Sequence, residues 1–125
     1  MPNKPQNSAV WFEIPVTDMA RAKKFYETVL DTQLLDDDSG PNPMAMFPVE
    51  DADKGVSGHI YPGTPPKDGG NTVHLLAPSP LSAAVERVAG VGGQVLSDPI
   101  EIPAGRFVYC KDPDGNSIGL FEYNS

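Results

Sequence analysis

Glu13 and His74 are the side chains of this sequence whose types and positions best suit proton transfer. Each lies in a short segment in which apolar residues alternate with others, as in a half-buried strand. Burial of an unpaired carboxylate is costly, so Glu13 is expected to have a partner, and His74 is the predicted one. A Glu–His couple in an apolar cleft has the residue types of a general base. A purely structural ion pair or hydrogen bond is the alternative interpretation.

A metal site is the second chemistry that these residues suggest. Two histidines and one carboxylate form a known ligand set for divalent transition metals. Glu13, His59 and His74 provide those residue types, but they lie far apart in the sequence, so no local spacing supports the site. The residue spacing alone therefore predicts no metal cofactor at these three positions. A divalent metal held by these three residues is the alternative.

The single cysteine, Cys110, is predicted to be a buried and unreactive thiol. It ends an apolar strand pattern, FVYC over residues 107–110, and it has no second cysteine for an internal disulfide. This cysteine usage is typical of a reducing compartment, and the polar first residues contain no apolar core of a secretory signal. The cytoplasm is the expected location.

The elements that must position these residues follow the same order twice. Apolar spacing predicts strands at 10–16, 34–35, 44–47 and 56–61, with a helix over 19–30 that Asp18 caps. After a linker rich in glycine and proline at 62–71, strands are predicted at 72–76, 95–96, 106–110 and 117–122, with a helix over 80–91. The sequence therefore predicts a disordered lead at 1–8 and two βαβββ modules, residues 9–61 and 72–125, that arose by internal duplication. The fold class is α+β, with a curved mixed sheet around a shared cleft and the helices outside.

Strand alternation also predicts which side chains face that cleft. Beside Glu13 and His74, the predicted ligand-binding set contains mainly aromatic and methionine side chains: Trp11, Met44, Met46, His59, Thr72, Phe107, Tyr109, Gly119 and Phe121. Such a surface suits a flat, mostly apolar ligand. The alternative is that many of these side chains simply fill the interior. The opposite faces are predicted to pack against the helices through Val56, Ile60, Val108, Cys110, Ile118 and Leu120.

Charge and hydropathy limit the classes of partner. The formal net charge is -8, so nucleic acid and anionic membrane surfaces are unfavourable partners. No apolar run approaches the roughly 20 residues of a membrane-spanning helix. A small-molecule ligand is the expected partner.

Several short motifs, in a characteristic order, resemble one known family. They are WFEIPVTD at 11–18, AKKFY at 22–26, GGQVL at 92–96, GRF at 105–107 and DPDGN at 112–116. Together they resemble the vicinal-oxygen-chelate superfamily of glyoxalases, bleomycin resistance proteins and extradiol dioxygenases. The resemblance extends from about Val10 to Glu122 and is nearest to the short glyoxalase-like branch.

The resemblance implies four metal ligands, one on the first and one on the last strand of each module. Their positions fall on Trp11, on His59, on Thr72 or Val73, and on Gly119, so only His59 keeps a side chain suited to bind metal. The resemblance therefore implies a glyoxalase-like protein that binds a small organic molecule without the usual metal. A divalent-metal-dependent lyase, isomerase or dioxygenase with a non-standard site is an alternative, and a drug-sequestering protein of the bleomycin-resistance type is another. The family also implies a homodimer.

Overall fold

Two β-sheets, each with one helix, make up the fold, and the computed structural model describes residues 4–40, 42–51, 54–67 and 70–124. The first module comprises β1 (Trp11–Val16), α1 (Met19–Leu30), β2 (Leu35–Asp37), β3 (Met44–Met46) and β4 (Ser57–Pro62). The second comprises β5 (Val73–Leu76), α2 (Leu81–Gly90), β6 (Gln94–Val95), β7 (Ile100–Ile102), β8 (Gly105–Lys111) and β9 (Ser117–Tyr123). Within these described ranges, neither helix has the length and apolar character needed to cross a membrane.

The two sheets have the same connectivity. The first has the order β1-β4-β3-β2 and the second β5-β9-β8-β6. In each, the first strand of the module pairs in parallel with the last, and the other pairs are antiparallel. The predicted α+β fold with duplicated βαβββ modules is confirmed. The hydrogen-bonded strands form two sheets, of four and five strands.

The sequence-based prediction missed one strand. β7 pairs with β8 beside the short β6, so the second strand of this module is interrupted at residues 96–99. Its three residues lie between Pro99 and Pro103 and are all exposed. Its Ile-Glu-Ile sequence alternates, but three residues between two prolines are too few for the alternation to predict a strand.

The apolar core is continuous between the modules. The buried stripe of α1 contains Ala22, Phe25, Tyr26, Val29 and Leu30, and that of α2 contains Leu81, Ala84 and Val88. These residues belong to one buried cluster with Ile60, Val108, Cys110, Ile118 and Leu120, as predicted from the strand periodicity. Val56 is an exception, because it precedes β4 and is exposed.

The loop that joins β8 to β9 fastens the second module to the first. Asp112 is buried, and its Oδ1 accepts hydrogen bonds from the backbone N–H groups of Asp114 and Asn116, which closes the predicted turn. Tyr26 of α1 donates its hydroxyl to Asp112 Oδ2 at 2.7 Å, and the Asn116 side chain donates to the carbonyl of Pro15 at 2.8 Å. Burial, followed by the nearby Asp112 carboxylate, raises the pKa of Tyr26 well above its usual value.

At the start of each helix, a carboxylate accepts a hydrogen bond from a backbone N–H group. Asp18 is the predicted N-cap of α1 and accepts a hydrogen bond from the N–H of Arg21 at 3.0 Å. The N–H of Leu81, at the start of α2, is bonded instead by Glu122 of β9 at 3.1 Å. The Asp18 cap was visible in the sequence because it is local, whereas the Glu122 contact depends on the tertiary fold.

Candidate ligand-binding cleft

A cleft of about 870 Å³ lies between the modules. The first module lines it with the end of α1, with Phe12, and with the connection between β3 and β4. The second module lines it with β5 and the residues that follow, and with aromatic side chains of β8 and β9. The lining residues comprise Phe12, Leu30, Asp31, Thr32, Phe47, Pro48, Val49, Glu50, Val56 and Ser57 from the first module and His74, Leu75, Leu76, Ala77, Pro78, Ile102, Phe107, Phe121 and Tyr123 from the second.

The side of the second sheet opposite its helix carries a cluster of rings, here called the aromatic wall: His74, Phe107, Tyr109, Phe121 and Tyr123. The register of the strands creates it, since Phe107 is paired with Phe121, while His74 and Tyr109 are both paired with Gly119. The imidazole of His74 meets Phe107 edge to face with a centroid separation of 5.0 Å. The ring centroids of Phe107 and Tyr109 are 5.2 Å apart, and those of Phe121 and Tyr123 are 4.9 Å apart. These contacts hold the rings in fixed orientations, with their outer surfaces available to a flat ligand.

Polar groups of one charge lie at the other side of the cleft. Asp31, which ends α1 in a left-handed conformation, and Glu50, in the connection between β3 and β4, are both exposed carboxylates in the lining. No lysine or arginine belongs to the described lining residues. The cleft therefore combines the aromatic wall with these two carboxylates, Asp31 and Glu50, here called the acidic rim. This combination favours a ligand that carries positive charge.

His74, on the aromatic wall, has no hydrogen-bonding partner among the described residues. Its ring is exposed, contacts the rings of Phe107 and Tyr109, and lies against Gly119. An imidazole nitrogen can donate or accept a hydrogen bond, according to its protonation state. His74 is therefore free to bind a polar group of a ligand.

Glu13 and His59 lie on the first sheet, on the face opposite α1. Glu13 Oε1 is 3.1 Å from His59 Nε2, and the two residues are directly opposite each other in the pairing of β1 with β4. His59 is only 8% exposed, whereas the side chain of Glu13 is 57% exposed. The predicted pairing of Glu13 with His74 is therefore corrected: Glu13 has His59 as its partner, because the two strands are neighbours in one sheet.

Several residues of the predicted ligand-binding set lie outside the cleft lining. Trp11, Met44 and Met46 share a face of the first sheet with Glu13, and Trp11 is 65% exposed. Thr72 immediately precedes β5, and its hydroxyl is 2.5 Å from that of Ser117. The structure thus brings together His74, Phe107 and Phe121 in the cleft, with Tyr109 and Gly119 directly beside His74.

The side chains present do not fit the metal of the family. Of the positions that the resemblance assigns to ligands, Trp11 is exposed, and the place of a side chain at Gly119 is occupied by the ring of His74. Among the described residues, no three His, Cys, Asp or Glu side chains lie close enough together to hold a metal ion. The alternative trio of Glu13, His59 and His74 is therefore not assembled within one chain.

The model of the Glyoxalase/Bleomycin resistance protein/Dioxygenase superfamily matches residues 8–120. The chain belongs to this superfamily. This glyoxalase-like protein is 29% identical over 125 residues to CFP32 of Mycobacterium tuberculosis, which is named as a glyoxylase; the match covers 95% of the chain but 47% of that relative. The chain thus spans about half the length of the curated relatives it matches.

Solved structures show the same fold. A glyoxalase/bleomycin resistance protein from Albidiferax ferrireducens superposes with a TM-score of 0.70 at 22% identity, over 94% of this chain and 100% of the other. TnmS3, an antibiotic binding protein from a Streptomyces species, superposes with a TM-score of 0.63 at 26% identity, over 98% and 100% of the two chains.

Sequence reasoning missed the first-module side of the cleft. Phe47 and Glu50 lie in an irregular connection, and Asp31 lies beyond the end of a helix, so no periodic pattern indicated that these residues meet β5. Leu76 and Tyr123 were detectable, since they continue the alternation of His74 and Phe121 on their strands.

Proposed function

We propose that this glyoxalase-like protein binds a small, flat, partly apolar organic molecule in the cleft between its modules, without the metal of the family. The observation that carries the proposal is the aromatic wall, with the unpartnered imidazole of His74, along one side of an open cleft. The volume of about 870 Å³ is within the range of roughly 300–1,000 Å³ that is typical of small-molecule sites. Aromatic surface with few polar groups is also typical of them.

The acidic rim supports a cationic ligand. Asp31 and Glu50 give the lining two carboxylates, and the formal net charge of the protein is -8. Both features raise the local concentration of cations and lower that of anions. The proposed ligand is therefore an aromatic molecule with a positively charged group.

A role in sequestering a drug-like molecule is the second candidate. It is favoured by the similarity to TnmS3, an antibiotic binding protein, over nearly the whole length of both chains. A sequestering protein needs to bind its ligand with high affinity and leave it unchanged. The aromatic wall and the acidic rim provide a binding surface that suits this role. Ligand recovered unchanged after prolonged incubation supports this role, whereas conversion of the ligand supports an enzyme.

A homodimer is proposed as the working assembly. The first sheet exposes large apolar side chains on the face opposite α1, including Trp11 and Leu35, and the second sheet exposes Leu76 and Tyr123. Exposed apolar surface on two faces favours association, and a second copy of the chain provides complementary surfaces.

The buried free thiol of Cys110 supports the proposal that the protein works in the reducing cytoplasm.

Two flat tricyclic dyes of opposite charge test the ligand class. Proflavine, a cation, is expected to bind the metal-stripped protein saturably, whereas the anion fluorescein is expected to bind at least tenfold more weakly. Glu50→Gln and Asp31→Asn should each weaken proflavine binding roughly threefold, because each removes one nearby charge. Asp38→Asn removes the same charge from an exposed turn outside the lining and is the matched control.

Three results would contradict the proposal. They are equal affinities for the two dyes, an equal effect of Asp38→Asn, or binding that appears only after a divalent metal is added. The last result would support the metal-dependent enzyme instead.

A further inference from the structure

Gly119 leaves a space on β9 that the ring of His74 fills. A Cβ atom at residue 119 would lie 2.1 Å from Nδ1 of His74, 2.5 Å from Cε1 and 2.9 Å from Cγ. Real Cβ atoms do not approach other heavy atoms this closely, so any side chain at residue 119 must displace the imidazole. The position of His74 therefore depends on the absence of a side chain at its neighbour on β9.

This packing also fixes which edge of the imidazole is available. The Nδ1–Cε1 edge is nearest to Gly119, and Nε2 and Cδ2 are on the side of the ring away from it. Phe107 supports the ring at an interplanar angle of 89°, and Tyr109 contacts it with a centroid separation of 5.9 Å. The ring is thus held between β9 and two aromatic neighbours, with Nε2 on the edge away from Gly119.

The first module provides a comparison at the equivalent position. Glu13 is paired with His59 there, as His74 is paired with Gly119 in the second module. In the first module the last strand carries the imidazole, and a carboxylate of the first strand is its partner. In the second module the imidazole is on the first strand, and the last strand carries no side chain. The imidazole of the second module is consequently left without an internal partner, beside the cleft.

We infer that Gly119 is a positioning residue for ligand binding. It seats His74 on the aromatic wall so that Nε2 contacts a hydrogen-bonding nitrogen or oxygen attached to the ring system of the ligand. The ligand class narrows to flat aromatic molecules that carry such a group, for example an amino, hydroxyl or carbonyl substituent. The ligand part of this inference rests on the proposed function, whereas the seating of His74 by Gly119 does not.

Imidazole NMR spectra of the ligand-free protein test the seating. The chain has two histidines, so the spectrum contains two imidazole systems, and His59→Gln assigns them. Gly119→Ala is expected to shift the His74 ring protons, because the ring leaves the shielding environment of Phe107, and to leave the His59 signals in place. Unchanged His74 signals in Gly119→Ala would overturn the inference, whether or not any dye binds.

A double-mutant cycle with proflavine tests the contact with ligand. His74→Ala and Gly119→Ala should each weaken binding roughly fivefold, the size expected for one hydrogen bond. In the His74→Ala background, Gly119→Ala should change the affinity less than twofold, since no ring remains to be displaced. Equal effects of Gly119→Ala in both backgrounds would overturn the inference, because they would indicate a role that does not act through His74.

Thermal unfolding keeps the inference testable if Gly119→Ala is poorly folded. The inferred clash predicts that His74→Ala restores the melting temperature of the Gly119→Ala variant. A double variant as unstable as Gly119→Ala alone would overturn the inference. If wild-type protein binds no proflavine but the NMR shift occurs, the seating stands and the proposed function fails.

Discussion

Glu13 and His59 face each other across β1 and β4, with Glu13 Oε1 3.1 Å from His59 Nε2. This contact occupies the carboxylate that sequence reasoning assigned to His74. It also separates two environments in the molecule: a paired imidazole on the first sheet and an unpaired imidazole in the cleft. The ionisable groups that meet a cleft ligand therefore include His74, Asp31 and Glu50, and not Glu13.

The Glu13–His59 contact is expected to stabilise the fold only slightly. Glu13 is more than half exposed, so solvent screens the interaction. A double-mutant cycle of Glu13→Gln with His59→Gln, measured by urea unfolding, should give a coupling of about 0.2–1 kcal/mol. The matched cycle of Glu13→Gln with His74→Gln should give no coupling. A larger coupling for Glu13 with His74 would restore the pairing predicted from the sequence.

The Tyr26–Asp112 hydrogen bond is expected to contribute strongly to stability. It is buried, it involves a carboxylate, and it joins α1 to the loop between β8 and β9. Tyr26→Phe should lower the free energy of unfolding by about 1–3 kcal/mol, because the buried Asp112 Oδ2 loses one of its two hydrogen bonds and keeps only that from the Asn116 amide at 2.9 Å. Tyr123→Phe, at a tyrosine that is largely exposed, should change it by less than about 0.5 kcal/mol. A Tyr26→Phe protein as stable as wild type in urea would contradict this account.

Cys110 is expected to resist alkylation in the folded protein. Burial raises the pKa of its thiol to about 11, so the reactive thiolate is scarce at neutral pH. Iodoacetamide at pH 8, followed by mass spectrometry, should modify the native protein far more slowly than the urea-unfolded protein. Rapid modification of native protein would show that the thiol is accessible.

The raised pKa of the Cys110 thiol predicts that the folded protein loses stability at alkaline pH. Its pKa is raised in the folded state, so unfolded chains release the proton first as the pH increases. The contribution is fully present below the ordinary cysteine pKa of about 8.5 and is lost as the pH rises toward 11. Urea unfolding from pH 8 to pH 10.5 should show a smaller decline for Cys110→Ala than for wild type. Parallel declines would contradict the assignment.

The proposed homodimer predicts a mass in solution of twice 13.4 kDa. Leu35→Glu places a charge on the exposed apolar face of the first sheet and should shift the protein toward monomer in light scattering. Gln33→Glu adds the same charge at an exposed residue just before β2 and is the control. A monomeric wild-type protein at micromolar concentration would contradict the proposal.

The sequence predicted which side chains lie on each face of the long strands better than it predicted which residues surround the cleft. Alternation placed Ile60 and Val108 in the core and His74 and Phe107 on the opposite face, because a period of two is fixed once one side is buried. The cleft lining from Phe47 to Glu50 was not predictable, since an irregular connection has no period. The partner of Glu13 was also missed, because it depends on which strand lies beside β1 rather than on any local pattern.

The central claim is that ligand binds on the aromatic wall without metal, and amide NMR of metal-stripped protein during proflavine titration tests it most directly. The predicted result is saturable shifts at Thr32, Ser57, His74, Phe107 and Phe121, on both sides of the cleft, with little change along β2 and β3. Shifts confined to β1, β2 and β3, or shifts that appear only with added metal, would contradict it.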